Sequence, residues 1–422
     1  MDVLSIRPRG PLDARVRVPG SKSLTNRALP VAALARGRSQ IAGALDSDDT
    51  EAMRDCLAEL GVRIDARTDP WLVEGRGGLL DAPQRTLDAR ASGTTARFIT
   101  AIAALGPGPS RIDGTARMRE RPIVDLTRAL AQLGAEVEIE GRDGCPPVRV
   151  NGGGLAGGGA VVDASRSSQF VTAVLLAAPF AERDVCLSLK DGVIASRPYV
   201  ELTLRVMRDF GAEVGWQDES TLRVGAGHPY QSRHYAVEPD ASSAAYPFSA
   251  AAIAGGRVRV LGIPRDSIQA DLGLLDVLAR MGCRVERGED YAELRAPTGR
   301  LRGIDVDMNA TPDAALALAA VALFADGPTL IRNVVQLRHH ETDRLSALEA
   351  ELRRLGARAQ AGPDSLRIEP AALHGATIHT YDDHRMAMAF ALVGLRVPGV
   401  VIEDPACVAK TWPDYFAALE RL

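Results

Sequence analysis

Six stretches of the chain share one pattern of polar and hydrophobic positions. Each has a polar start, an alanine-rich apolar run, a break and then a short run rich in β-branched residues. The six copies end 71 to 75 residues apart, at Ile41, Ile112, Leu187, Val260, Ile331 and Ile402. A period of this length is too long for a solenoid turn and indicates a repeated α/β module.

A second helix is predicted between the copies. In one copy Met53, Cys56, Leu57 and Leu60 fall on one helical face, which is typical of an amphipathic helix. A glycine just past the last apolar residue suits a left-handed helix cap. Such a glycine recurs five times, at Gly61, Gly134, Gly211, Gly282 and Gly356. Each module therefore reads as two helices with several short strands.

The first helix of each module is apolar on nearly every face, so we expect it to be buried. Polar residues gather where these helices begin: Lys22-Ser23, Gly93-Thr94, Ser167 to Gln169, Asp240 to Ser243, Asp313, and Asp383 to Arg385. If the helices run parallel, their N-termini present free N–H groups and partial positive charge on one side, where phosphates and carboxylates bind readily. The alternative, that the serines and aspartates only cap the helices, stays open.

Composition limits the class of protein. The 422 residues suggest two or three domains, and 46% hydrophobic with 25% charged residues is ordinary for a globular protein. The longest apolar runs, 170–181 and 314–325, are too short to span a membrane, and the N-terminus has no signal-peptide core. Five scattered cysteines favour a reducing compartment, so we expect a cytoplasmic protein. A net charge of −4 argues against nucleic acid as a partner.

Cations recur near the predicted helix starts. If they converge, they would hold more than one anionic group, and a nearby carboxylate could act as a general acid or base. Solvated surface charge is the alternative for each cation, while Asp313 could be an N-cap and Glu341 a first-turn charge. The cations are Lys22, Arg27, Arg97, Arg121, Arg344, Arg385 and Lys410. Gly152 to Gly157 matches a dinucleotide-binding pattern, but a strand-like AVVDAS follows it instead of a helix, which argues against such a site.

Several motifs together resemble EPSP synthases, which are enolpyruvyl transferases. The resemblance extends from about residue 15 to the C-terminus and rests on PGSKSLTNRAL, SGTTARF, RMRERPI, SSQF, DASSAAY, DMNATPDAAL, HETDRL, DDHRMAM and KTWPDYF. It implies a two-domain, inside-out α/β barrel of six βαβαββ repeats, three per domain, with buried parallel helices. One domain would comprise residues 1–19 plus 237–422 and the other 20–236, with substrates in a cleft that closes over them.

The resemblance also implies an activity. Such enzymes move the enolpyruvyl group of phosphoenolpyruvate to the 5-hydroxyl of shikimate 3-phosphate by addition and elimination, the sixth step of the shikimate pathway to chorismate. It implies no metal and no organic cofactor, a monomer, and inhibition by glyphosate.

The family's site residues carry over to matching positions. The catalytic residues would be Asp313, Glu341 and Lys22. Contacts to shikimate 3-phosphate would come from Lys22, Ser23, Arg27, Ser167, Ser168, Gln169, Ser196, Tyr199, Asp313, Gln336 and His340. Contacts to phosphoenolpyruvate would come from Lys22, Gly93, Arg121, Gln169, Arg344, Arg385 and Lys410.

The chain departs from the family pattern at a few positions. His340 stands where lysine is frequent and Gln336 where asparagine is common, while Ala91 and Phe98 differ beside Gly93. Two other functions stay open. UDP-N-acetylglucosamine 1-carboxyvinyltransferase typically has Lys-Asn at Lys22-Ser23 and a loop cysteine that RIDGTARMRER lacks. A non-catalytic, anion-binding repeat protein would not need Asp313, Glu341 and Lys410 together.

Overall fold

A computed structural model describes residues 2–422. The six alanine-rich runs form α1, α3, α5, α7, α9 and α11, and nearly all of their residues are buried, as their apolar composition predicts. The helices of the described chain are α1 (Lys22–Leu34), α2 (Asp48–Glu59), α3 (Gly93–Ala103), α4 (Val124–Gln132), α5 (Gln169–Ala177), α6 (Pro198–Asp209), α7 (Ala241–Ala254), α8 (Gly273–Arg280), α9 (Ala315–Ala322), α10 (Arg344–Arg354), α11 (His384–Gly394) and α12 (Tyr415–Glu420).

Short strands connect the helices. They are β1 (Val3–Ser5), β2 (Leu12–Val16), β3 (Arg36–Ala42), β4 (Arg63–Asp65), β5 (Trp71–Arg76), β6 (Leu87–Asp88), β7 (Ser110–Asp113), β8 (Glu136–Ile139), β9 (Val148–Asn151), β10 (Gly158–Ala164), β11 (Val185–Ile194), β12 (Val214–Trp216), β13 (Thr221–Val224), β14 (His234–Ala236), β15 (Gly256–Leu261), β16 (Arg284–Arg287), β17 (Tyr291–Arg295), β18 (Leu301–Arg302), β19 (Asp305–Asp307), β20 (Ala325–Asp326), β21 (Thr329–Arg332), β22 (Arg358–Ala361), β23 (Leu366–Glu369), β24 (Thr377–Ile378) and β25 (Val401–Glu403).

The second helices end as the sequence predicts. The glycines after α2, α4, α6, α8 and α10 all have positive φ, between +87° and +111°, which residues with a Cβ rarely adopt. The apolar face of α2 is buried from Met53 to Leu60, and that of α8 from Leu274 to Met281.

The chain folds as two compact units. Unit 1 comprises the chain up to Ser21 together with Glu238–Leu422, and unit 2 comprises Lys22–Val237. Each unit contains three of the six repeated modules and has its own hydrophobic core, built around the buried helices. In unit 1 the helices α7, α9 and α11 pack against one another, and in unit 2 α3 packs against α1 and α5.

Five modules build the same four-stranded sheet. A strand pairs in parallel with the strand that follows the buried helix, and an antiparallel hairpin extends the sheet, as in the order β6-β7-β9-β8. The sixth module ends with the chain, and the N-terminal β1 pairs with β25 where a hairpin strand would otherwise lie. Over residues 2–422 the strands form seven separate sheets, and none of them closes into a barrel.

Two strands reach their sheets from distant parts of the chain. Near the N-terminus, β2 pairs in parallel with β15, which follows α7. At the end of unit 2, β14 pairs in parallel with β3, which follows α1. In each unit, therefore, one sheet is completed by a strand that lies far in sequence from the buried helix of the same module. No helix of the described residues is long and apolar enough to cross a membrane.

Candidate active site

Arg344, the first residue of α10, is the centre of a charged cluster in unit 1. Its side chain is 1% exposed, and it donates from Nε and Nη2 to both oxygens of Asp383, at 2.7 and 3.0 Å. Nη1 donates to Asp313 Oδ1 at 3.1 Å, and Nη2 lies 2.9 Å from Glu341 Oε2. Burial by itself lowers the pKa of Arg344, but the charges of Asp383, Glu341 and Asp313 outweigh it and hold the pKa above its usual value.

Asp313 is held by two arginines. It lies in a 3₁₀ turn, Pro312–Ala314, and Arg385 Nη2 binds its Oδ2 at 2.9 Å while Arg344 binds Oδ1. The interpretation of Asp313 as an N-cap is wrong, because α9 begins at Ala315 with Ala314 at its cap position. Its carboxylate is thus oriented by two cations and is only partly exposed.

Glu341 precedes α10 and is not a first-turn charge of that helix, whose N-cap is Asp343. One of its oxygens faces Arg344, and the other lies 3.8 Å from Nζ of Lys410. Lys410 ends a 3₁₀ segment, Pro405–Lys410, and is 8% exposed. The carboxylate of Glu341 is therefore held between a guanidinium group and an ammonium group.

The starts of three buried helices meet at this cluster. Arg385 is the second residue of α11, and its Nη1 also lies 3.5 Å from the hydroxyl of Tyr246 in α7. Ser242, at the start of α7, donates to the buried carboxyl of Asp271. Burial, followed by the charge of nearby Asp313, raises the pKa of Asp271 to about 7.

Two of the departures from the family pattern lie just before α10, and His340 borders the cluster. His340 Nδ1 lies 2.9 Å from Arg344 Nη1, and because a guanidinium group only donates, Nδ1 is the acceptor. Gln336 is buried, and its amide donates to the carbonyl of Asn309 at 3.3 Å. Both side chains therefore make hydrogen bonds within the protein.

In unit 2, Lys22 and Arg27 lie on α1. Lys22, the first residue of the helix, forms a 3.2 Å ion pair with the buried Asp49 of α2. Arg27 is buried, and its guanidinium donates to Thr203 Oγ1 and to the carbonyls of Ser23 and Tyr199, at 2.8 to 3.0 Å. Burial lowers the pKa of Arg27 to about 10. Arg27 therefore joins α1 to α6 within the protein.

Gly93 is the first residue of α3, and the space above it is filled by Arg121. A Cβ at position 93 would lie 2.6 Å from Nη2 of Arg121, which is closer than real Cβ contacts. The backbone at Gly93 is otherwise ordinary, since its φ is not positive. The glycine thus allows a guanidinium group to lie against the N-terminus of α3, where the sequence alone suggested only an approach by an anion.

The remaining predicted contacts lie around the start of α5 and α6. Ser167 Oγ accepts the backbone N–H of Gln169, the first residue of α5, at 3.2 Å, and Ser168 is buried beside it. Ser196 is buried with a left-handed φ of 57°, and it precedes Tyr199 in the first turn of α6.

Three carboxylates of these clusters were not predicted from sequence. Asp383 appeared only as a polar helix start, Asp49 lies in the acidic start of α2, and Asp271 sits in an unremarkable QADL segment. The run DDHR, with two acids directly before a helical arginine, was the available signal for Asp383.

Comparison with solved structures first identifies the fold, which is that of enolpyruvyl transferases. The fold matches that of the enolpyruvyl transferase NikO from Streptomyces tendae with a TM-score of 0.80 at 21% identity, over 100% of this chain and 97% of that one. The EPSP synthase of Acinetobacter baumannii matches with a TM-score of 0.82 at 27% identity, over 99% of this chain and 98% of that one.

The sequence then gives the family. The model of EPSP synthase (3-phosphoshikimate 1-carboxyvinyltransferase) matches residues 6–419. A 3-phosphoshikimate 1-carboxyvinyltransferase of Nostoc punctiforme is 49% identical over 96% of this chain and 95% of its own length. One from Yersinia pseudotuberculosis is 45% identical over 100% of this chain and 99% of its own. The chain belongs to the EPSP synthase family, so the resemblance noted in the sequence is confirmed.

Proposed function

We propose that this protein transfers the enolpyruvyl group of phosphoenolpyruvate to the 5-hydroxyl of shikimate 3-phosphate, releasing phosphate, as a monomer in the cytoplasm. The observation that carries the proposal is the cluster in which Arg344 and Arg385 share Asp313 while Glu341 lies between Arg344 and Lys410. It combines oriented carboxylates with cations suited to an anionic donor.

The reaction needs three proton transfers: one from the hydroxyl, and two in opposite directions at C3. In the addition step, the oxygen of the 5-hydroxyl bonds to C2 of phosphoenolpyruvate, the hydroxyl loses its proton, and C3 gains one. In the elimination step, the intermediate loses phosphate from C2 and a proton from the new methyl group, which restores the double bond. Separate groups beside C3 and beside the hydroxyl suit this sequence.

Asp313 is assigned to the hydroxyl proton. Two arginines bind both of its oxygens, so the carboxylate is held in one orientation. Glu341 and Lys22 are assigned to the proton at C3. One oxygen of Glu341 faces Arg344 and the other lies 3.8 Å from Nζ of Lys410, so its carboxyl group is held in a fixed place.

The cations are assigned to the anionic groups. Arg344, Arg385 and Lys410, with Arg121 and Lys22, would bind phosphoenolpyruvate and stabilise charge that develops on the leaving phosphate. Gly93 and Gln169 would complete that set. The contacts to shikimate 3-phosphate would include Ser23, Arg27, Ser167, Ser168, Ser196, Tyr199, Gln336 and His340, with Lys22, Gln169 and Asp313.

The test is release of phosphate from phosphoenolpyruvate. We expect release that depends on shikimate 3-phosphate and does not occur with UDP-N-acetylglucosamine. Asp313→Asn and Glu341→Gln should each lower kcat at least ~100-fold, the usual range for loss of a proton-transfer group. Asp276→Asn is the matched control, because Asp276 is exposed and pairs only at the surface with Arg287.

Two results would refute the proposal. One is activity with the sugar nucleotide in place of shikimate 3-phosphate, which would assign the sister reaction. The other is full turnover in both the Asp313 and the Glu341 variant while their melting temperatures match that of the wild type.

Glyphosate is proposed as an inhibitor that competes with phosphoenolpyruvate. It carries a carboxylate and a phosphonate, which the same cations can bind. Steady-state rates at several donor concentrations should show competition, and unchanged rates at millimolar glyphosate would contradict it.

A further inference from the structure

The segment that carries Asp383 and Arg385 into the charged cluster has an unusual backbone. Tyr381 and Asp382 have φ of 57° and 54°, and the N–H of Asp383 donates to the carbonyl of Thr380 at 2.9 Å. Positive φ at both central residues is the signature of a type I′ turn, which normally takes glycine, asparagine or aspartate. Tyrosine is poorly suited to its first central position.

The left-handed backbone of this turn is energetically unfavourable, so contacts from elsewhere in the protein have to stabilise it. A residue with a Cβ in the left-handed region costs about 1–2 kcal/mol. The turn leads directly into α11, whose N-cap is Asp383, and Asp383 in turn binds two nitrogens of Arg344. A change in the turn would therefore move the carboxylate that orients Arg344.

Glu351 holds the turn from α10. It is fully buried, its Oε1 accepts the hydroxyl of Tyr381 at 2.8 Å, and its Oε2 accepts the backbone N–H of His379 at 3.1 Å. Arg354 adds a contact to Oε2 at 3.0 Å. One buried carboxylate thus binds the side chain of Tyr381 in the turn and the backbone of His379, which follows β24.

Helix α10 therefore contacts this segment at two points. Arg344 begins the helix and binds Asp383, and Glu351 lies seven residues later, which is about 10 Å along a helix. Because a helix is rigid over two turns, fixing the segment at Glu351 also fixes Asp383 relative to Arg344.

We propose that Tyr381 and Glu351 are positioning residues for the donor site, holding the left-handed turn so that Asp383 presets Arg344 for an anionic group. This inference rests on the proposed function, because it takes phosphoenolpyruvate as the ligand of Arg344 and Arg385. Neither residue needs to touch the substrate.

The decisive variant is Tyr381→Phe, which removes only a hydroxyl from a ring that is 42% exposed. We expect the KM for phosphoenolpyruvate to rise about three- to tenfold, the range for the loss of one typical hydrogen bond, while the KM for shikimate 3-phosphate stays within twofold. Tyr291→Phe is the matched control, since the hydroxyl of Tyr291 also donates to a glutamate, Glu286, on a surface hairpin of unit 1. Its two KM values should equal those of the wild type.

A second variant tests the role of the turn itself. Tyr381→Asn also lacks the hydroxyl, but asparagine tolerates the left-handed conformation. We expect its KM for phosphoenolpyruvate to fall between those of the wild type and the Phe variant. An Asn variant no better than Phe would overturn the claim that the hydroxyl acts by securing the turn.

Other outcomes separate this inference from the proposed function. If the wild type turns over and the Phe variant matches the Tyr291 control, the inference fails and the function stands. If both KM values rise together with a fall in melting temperature, Tyr381 has only a structural role. If the wild type shows no turnover, the proposed function fails, and calorimetric titration of phosphoenolpyruvate into the Phe variant and its control, with shikimate 3-phosphate present, decides the inference.

Discussion

At the scale of single residues, the most informative contacts are those that a sequence does not display. Motifs placed Arg344, Arg385 and Asp313 among the candidates, but each of them is held by a residue from another part of the chain. A side chain such as Asp383 looks like a helix cap in sequence, and it is one, yet it also binds Arg344. Local patterns reveal the first role and conceal the second, because the partner lies 39 residues away.

Gly93→Ala should weaken donor binding without unfolding the protein. The new Cβ would occupy the place of Arg121 Nη2, and the flexible guanidinium would have to move away. We expect the KM for phosphoenolpyruvate to rise on the order of tenfold, about 1.4 kcal/mol, with a melting temperature close to that of the wild type.

Gly159→Ala serves as the comparison for this substitution. Gly159 lies in β10 of the same unit, a Cβ there meets nothing within 4 Å, and its φ is not positive. A donor KM that is unchanged in the Gly93 variant, or equally changed in both, would contradict the assigned place of Arg121.

Asp271→Asn should stabilise the protein more at pH 8 than at pH 5. Burial and Asp313 raise the pKa of Asp271 to about 7, so the folded state keeps a proton that the unfolded chain releases near pH ~4. The stabilising effect of Asp271 is therefore complete below pH ~4 and is lost as pH rises to about 7, at about 1.4 kcal/mol per unit. Asparagine is neutral throughout and shows no such loss.

Calorimetric melting at both pH values measures this effect. The difference between variant and wild type should grow with pH, and the exposed Asp276→Asn should show no such trend. An equal difference at pH 5 and pH 8 would mean that Asp271 is already ionised in the folded protein.

At the scale of elements, the pattern of hydrophobic residues was enough to predict where most of the helices lie. The six buried helices and the five glycine-capped helices occur where periodicity and glycine spacing put them, because an all-apolar helix has to be surrounded by protein. The pairing partners of the strands were harder to predict from the sequence. Short strands such as β2 and β14 pair with segments more than 190 residues away, and no local pattern encodes such a register.

The buried helices should be sensitive to cavities. Leu316 in α9 is fully buried, so Leu316→Ala should lower the free energy of unfolding by about 2–5 kcal/mol. Leu79→Ala, at a leucine that is 75% exposed, should change it by less than about 0.5 kcal/mol. Urea unfolding followed by circular dichroism compares the two, and equal losses would contradict the burial of α9.

At the scale of the whole molecule, the two units differ in how the chain builds them. Unit 2 is one continuous segment with its own core, and its last strand, β14, completes the sheet of its first module. Unit 1 has to assemble the N-terminal strands β1 and β2 with a segment that begins more than 200 residues later.

Residues 22–237 should therefore fold when expressed alone, whereas 238–422 should not. The first segment contains every strand of its sheets, whereas the second lacks β2 and β1, which pair with one edge of β15 and of β25. Dispersed amide signals in NMR spectra would mark a folded segment. A disordered 22–237, or a well-folded 238–422, would contradict this account of the units.

The crossing between the units has a topological consequence. Ser21 and Glu238 are hydrogen-bonded neighbours, with Gly20 and Pro239 bridged beside them, so the polypeptide leaves unit 1 and re-enters it at a single point. Unit 1 is thus a set of three modules that is interrupted at one strand-to-helix connection, between β2 and α7, where the whole of unit 2 is inserted. Joining Ser21 to Glu238 through about two glycines would make unit 1 a continuous chain. The two units could then be produced as two separate proteins.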